Sequence, residues 1–216
     1  MTDTDAAPPG FRRQRAAGMG AIAIAAVVAV AVWLAIDRLM PPLSNMAGTG
    51  ARLVFALKCC ALAVLFCLVT GVEAIAHERL NSPAFDPLAG FETRRLRINQ
   101  QYLHNTLEQS VVFVIALLGL AACMRDGAGM RAVVATTVVW ILARFAFWLG
   151  YHRSAAMRGL GAPGMALAMI VLLYVAARFG GELAGPAGAA APVVLFLIIE
   201  AVLFWTTRPV KEQAGR

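Results

Sequence analysis

Charge is what this chain has least of. Only 14% of its 216 residues are Asp, Glu, Lys or Arg, against 60% hydrophobic, and the mean hydropathy is +0.73. A soluble domain carries roughly 25% charge, so a water-facing globule is excluded. Acids are scarcer than bases, 12 against 19, leaving a formal charge of +7. Cysteine is scarce as well: Cys59, Cys60, Cys67 and Cys123 all fall inside apolar runs without metal-type spacing and read as packing residues. His77 and His104 have no third ligand at useful spacing, so no metal site is expected. A Gly-rich phosphate loop and a Gly-x-Ser-x-Gly elbow are missing too. No nucleophile is legible in the protein itself, and any that acts must arrive with a cofactor or cosubstrate.

What is present is hydrocarbon. Apolar runs of membrane-spanning length cover 19–36, 53–76, 102–124, 132–152, 163–179 and 191–206, which predicts an all-α, polytopic transmembrane bundle of six spans. No internal repeat of 20 to 50 residues is visible. The basic excess is topological. With the first residue inside, Arg12, Arg13, Arg15, Arg79, Arg94, Arg95, Arg97, Arg153, Arg158, Arg208, Lys211 and Arg216 are cytoplasmic, while Arg38, Arg52, Arg125, Arg131 and Arg178 lie opposite. Both termini are then cytoplasmic in an integral, multi-pass protein, in the inner membrane if the cell is bacterial, and nucleic acid is no partner. Phe11-Arg12-Arg13-Gln14-Arg15 resembles the start of a secretory signal. Asp37-Arg38 follows a long apolar run without a small-residue cleavage site, however, so an uncleaved anchor is expected. Residues 1–17 read as a disordered cytoplasmic tail, 77–97 as the longest polar connection, and 180–192 as a small-residue external loop.

Against this background a few polar residues stand at hydrocarbon depth. A central Glu or Arg costs roughly 2.5 to 3.5 kcal/mol to insert, so such groups meet a partner, water or a ligand. Gln101, Asn105 and Glu108 are spaced i, i+4 and i+7 on one helix, and Arg144, Trp148 and Tyr151 repeat that spacing on the next. One outcome is a Glu108–Arg144 ion pair with Asn105 as interhelical glue, holding the bundle together without a ligand. Another is a shared polar site.

The motifs Phe91-Glu92, Asn105-x-x-Glu108, Ala143-Arg144 and Gly150-Tyr151-His152-Arg153-Ser154 through Arg158 resemble those of the MAPEG family, membrane-associated proteins of eicosanoid and glutathione metabolism. The chain is similar to a divergent, bacterial-type member. The resemblance covers about 51–180 and implies a four-helix core, with 18–50 an extra N-terminal span and loop and 181–216 an extra C-terminal span and tail. It implies a homotrimer with glutathione held between neighbouring subunits near the cytoplasmic face, and a lipophilic substrate entering from the bilayer. Gln101, Asn105, Glu108, Arg144 and Tyr151 are the implied glutathione-binding positions, and Arg158 the one that activates its thiol. Four positions depart from the family pattern: Gln101 stands for an arginine, Leu103 for a His or Gln, Gln109 for an aromatic and Phe147 for a tyrosine.

Chemistry gives each residue a role. Glu108 suits an ammonium, Asn105 a peptide amide, and Arg144 and Tyr151 a carboxylate. Arg158 stays protonated at neutral pH, so it is an electrostatic clamp on a thiolate rather than a base. Two classes remain open at this point: a glutathione-dependent transferase or peroxidase, and a non-enzymatic lipid-binding or scaffold protein of the same fold. A third class, an unrelated small-molecule transporter or assembly subunit, is favoured by the six spans and weakened by the lack of broken-helix or inverted-repeat patterns.

Overall fold

A computed structural model describes residues 11–207, and these are helical with no strand. Helix α1 runs Phe11–Leu39, α2 Thr49–Ala63, α3 Thr70–Leu80, α4 Arg94–Cys123, α5 Met130–Arg153 and α6 Ala162–Thr206. Five continuous segments are long and apolar enough to cross a membrane, with α2 and α3 sharing one and the last extending over Met157–Thr206. The polytopic all-α architecture read from the hydrophobic runs is therefore present.

The sixth apolar run is the second arm of α6. A straight 45-residue helix would be about 68 Å long, more than twice the hydrocarbon thickness. It is broken at Ala184 (φ −142°, ψ 25°) and Gly185 (φ +63°, ψ −149°), the latter a left-handed backbone that glycine tolerates. The Gly188 carbonyl then overlaps the position a Gly180 Cβ would take, whereas residues eight apart in an unbroken helix are about 12 Å apart. The chain doubles back. The loop expected over 180–192 is thus helical on both sides of a two-residue break. Pro186 is accommodated just past that break, where a missing N–H costs least.

The expected disordered tail needs correction. Helix α1 begins at Phe11, because Arg12, Arg13, Gln14, Arg15, Ala16 and Ala17 are all good helix formers with no breaker among them. The remainder of that tail, 1–10, and the segment 208–216 lie outside the described residues. Two compact units divide after Leu172, inside α6, rather than at the 180/181 boundary.

In the first unit, α4 and α5 pack on each other and on the α2–α3 rod. Val64–Val69 forms a π-helical turn between α2 and α3, a geometry that disrupts the regular carbonyl ladder. The Cys67 carbonyl accepts a hydrogen bond from Tyr102 Oη at 3.0 Å. Gly71 leaves room for that ring, since a Cβ there would sit 3.1 Å from Tyr102 Cε1. Trp140 stacks on Phe113 at 4.3 Å between ring centroids, and Met130, Val133 and Leu117 complete the core. Arg52, assigned by charge reasoning to the non-cytoplasmic side, is buried. Its guanidinium donates to the carbonyls of Met46, Ala47 and Arg125 and to Thr49 Oγ1, pinning the loops at one end of the bundle.

Helix α1 packs along α5 and against the Met157–Gly161 turn. Trp33 Nε1 donates to Thr136 Oγ1 at 3.2 Å across the α1–α5 contact. The added N-terminal helix is thereby joined to the segment that carries Arg158.

Candidate functional site

Near the Arg153 end of α5 a cavity of about 320 Å³ opens between α4, α5 and the following turn. Helix α4 supplies Gln101, Asn105 and Gln109, spaced i, i+4 and i+8 on one stripe, and α5 supplies Arg144, Phe147 and Tyr151. The turn supplies Arg158, Gly159 and Gly161. Five of the six residues singled out in the sequence thus come together here, joined by Gln109 and Phe147, two of the positions that depart from the family pattern.

The turn reaches the cavity because of two glycines. A Cβ on Gly150 would collide with the Met157 carbonyl, and one on Gly161 would collide with Phe147 Cβ while lying 3.1 Å from Arg144 Nη2. Ser154 Oγ accepts from the Met157 N–H at 3.2 Å, and the Ser154 N–H closes α5 by donating to the Gly150 carbonyl at 3.0 Å. Much of the Gly150–Ser154 motif is therefore the hinge that folds Arg158 back over α5.

Arg144 dominates the electrostatics. It is only 1% exposed. Nη1 donates to Asn105 Oδ1 at 3.3 Å, Nη2 donates to the Gly161 carbonyl at 3.0 Å, and the guanidinium lies 5.0 Å from the Phe147 ring centre. Among the described residues no carboxylate pairs with it, and its Nε has no hydrogen-bond partner. Gln109 Nε2 donates to Asn105 Oδ1 at 2.9 Å, while Gln109 Oε1 is buried and unpartnered. A buried cation with an idle donor beside an idle amide acceptor is costly unless something fills the space.

Glu108 departs from expectation. It is absent from the cavity wall, its side chain is 62% exposed, and its carboxylate meets His104 Nε2 at 3.2 Å on the outer side of α4. Gln109 is rotated about 100° from Glu108 around the helix, and at that height the cavity lies on the Gln109 side. The proposed Glu108–Arg144 ion pair is not formed. Trp148 also leaves its expected stripe: Nε1 donates to Asn99 Oδ1 at 2.9 Å and the ring stacks on Tyr102 at 5.4 Å.

Asn99 is the residue the sequence reading passed over. It is 1% exposed, donates to the Ala74 carbonyl at 3.3 Å, accepts from Trp148, and lies 3.1 Å from His152 Nε2, tying α3, α4 and α5 together. A signal existed. Asn99, Tyr102, Thr106 and Ser110 recur every three or four residues, and all are buried.

The family model described as the MAPEG family matches residues 52–180. That span holds Gln101, Asn105, Arg144, Tyr151 and Arg158 and leaves α1 and the second arm of α6 outside. No curated protein and no solved structure matches the chain.

Proposed function

The chain belongs to the MAPEG family, and on that premise we propose that it binds glutathione in the Arg144 cavity and acts as a glutathione-dependent transferase or peroxidase toward lipophilic electrophiles. The observation that carries this is Arg144: a guanidinium almost wholly buried, lining a polar cavity, with no carboxylate partner among the described residues. An anionic peptide fits the unmet needs of the wall. A carboxylate compensates the unpaired charge of the Arg144 guanidinium, and an amide N–H or ammonium suits the amide-rich wall of Gln101, Asn105 and Gln109. Gln101, Asn105 and Tyr151 supply further polar contacts around it.

Bound glutathione contributes the thiolate nucleophile that this chain lacks. The residues of the chain hold and polarise it. Arg158, on the turn at the cavity edge, favours the ionised sulfur by charge, each unit of thiol pKa lowering corresponding to about 1.4 kcal/mol. Phe147 stands in the wall without a hydroxyl, so Arg158 carries that role alone or with water. In a homotrimer, which belongs to the same proposal, the outward Glu108–His104 pair of α4 becomes available to a neighbouring subunit, removing a carboxylate from contact with lipid. In the same proposal this end of the bundle faces the cytoplasm, a reading supported by the arginine distribution.

Arg158→Ala separates the clamp from the binding cation. It should lower kcat for conjugation of a general electrophile by about 30-fold while changing the glutathione Kd less than about threefold, because the charge it stabilises forms only when the bound thiol ionises, whereas the peptide is held through its carboxylates and amides. Steady-state kinetics with parallel calorimetric titration reads both. An equal loss in affinity and turnover would make Arg158 a binding residue instead.

The lipid-binding or scaffold alternative is favoured by two departures, the missing hydroxyl at Phe147 and Gln101 in place of an arginine. It predicts a protein that binds neither glutathione nor its analogues.

A further inference from the structure

Arg158 has a second neighbourhood. On the side of its turn facing α1 lies a separate cavity of about 330 Å³, lined by Gln14, Arg15, Gly18, Met19, Ile22 and Arg158. The two helical pieces are closely fitted there: a Cβ on Gly159 would lie 3.0 Å from Ile22 Cγ1 and 3.1 Å from the Gly18 carbonyl. Two arginines and an amide face this space, and no acidic side chain lines it. Arg15 stands four residues before the apolar run that begins at Met19, which puts the cavity at the level where headgroups meet hydrocarbon.

The seam changes character along α1. Next comes a cleft of about 200 Å³ lined by Ile24, Ala25, Val28, Leu142 and Ala146, then one of about 360 Å³ reaching Leu34, Leu167 and Ile170. Ala29, Val139 and Pro163 line both. The only polar group in their walls, Trp33 Nε1, is already satisfied by Thr136. From Gly18 to Leu34 the seam is about 24 Å long at 1.5 Å per residue. A cationic compartment near one end of α1, with apolar clefts further along the same helix, has the chemistry of one anionic amphiphile.

We propose that the α1 seam binds a single anionic membrane phospholipid, its phosphate between Arg15 and Arg158 and an acyl chain along Ala25, Val28 and Ala29. Basic pockets between transmembrane helices recognise phosphate headgroups in this way, and the apolar slot excludes a polar peptide. Because Arg158 lines both cavities, the lipid is held beside the thiol site by a residue that serves both. None of the α1 residues involved lies within the family match.

The test uses the purified full chain in detergent micelles, following thermal unfolding during titration with phosphatidylglycerol, phosphatidylcholine or glycerophosphoglycerol, the headgroup without chains. Phosphatidylglycerol alone should raise the melting temperature saturably. Arg15→Glu, which removes one positive charge and adds a negative one at an exposed position, should move the midpoint to roughly 25-fold higher lipid, about fivefold for each unit of charge. Arg15→Lys should restore it to within about twofold. Val28→Trp, at a position 56% exposed in the slot, should abolish the shift by filling the space of the chain while the protein without lipid melts as before. Equal shifts with phosphatidylcholine would overturn the headgroup assignment, and equal shifts with the chainless headgroup the acyl slot. Wild-type titration curves for both Arg15→Glu and Val28→Trp would overturn the site.

Discussion

Arg144→Met is expected to leave the protein folded and to remove glutathione binding. Truncating one member of a desolvated charged pair costs about 2 to 5 kcal/mol of affinity, a loss of at least roughly 30-fold. Stability should hold or rise slightly, since exchanging a buried ion for an apolar side chain of similar length is often neutral or favourable. Asn105 Oδ1 and the Gly161 carbonyl each lose one donor in the variant, and Asn105 Oδ1 keeps its hydrogen bond from Gln109. Thermal unfolding and calorimetric titration on the same preparation distinguish the two effects. A Met variant that unfolds at room temperature would instead make Arg144 a strut whose natural partners are Asn105 and Gly161.

The second large effect is steric. Gly150→Ala places a methyl on the Met157 carbonyl, a backbone atom with no rotamer to retreat to, so the whole turn must move. Overpacking of this kind costs about 1 to 3 kcal/mol. Because the displaced segment carries both Arg158 and Gly161, turnover should fall to background together with the melting temperature. Gly20→Ala is the matched control. A Cβ there meets nothing within 4 Å, and removal of a helical glycine should stabilise α1 by roughly 0.5 to 1 kcal/mol without touching activity.

The membrane helices are legible because hydrocarbon length is a strong signal; the meeting of Gln101, Asn105, Arg144 and Tyr151 at one cavity is legible from helical spacing, and that of Arg158 only from the motif. The reading misses where two neighbours flank the same stripe on opposite sides. Glu108 and Gln109 both follow Asn105 by about one turn, and the approach of α5 decides which one faces the cavity. Charge drew attention to Glu108, whereas the amide at 109 is the group that lines the wall. Asn99 was lost for a related reason: the stripe it shares with Tyr102, Thr106 and Ser110 is polar yet uncharged, and it serves packing rather than a ligand. The close packing of α1 on the Arg158 turn depends on Gly18 and Gly159 meeting across about 140 residues, and helical periodicity carries no record of such a pairing. The reversal in α6 was read as a long loop because glycine and proline cluster there, although two residues suffice once Gly185 takes a positive φ.

The central claim is that the Arg144 cavity recognises the anionic groups of a thiol peptide. It is tested most directly by calorimetric titration of the purified wild-type protein with glutathione and, separately, with glutathione diethyl ester, which keeps the thiol, amides and ammonium but neutralises both carboxylates. Saturable binding of the acid, with affinity for the diester weaker by at least about 30-fold, is the predicted result. Equal binding of the two, or binding of neither, would contradict it.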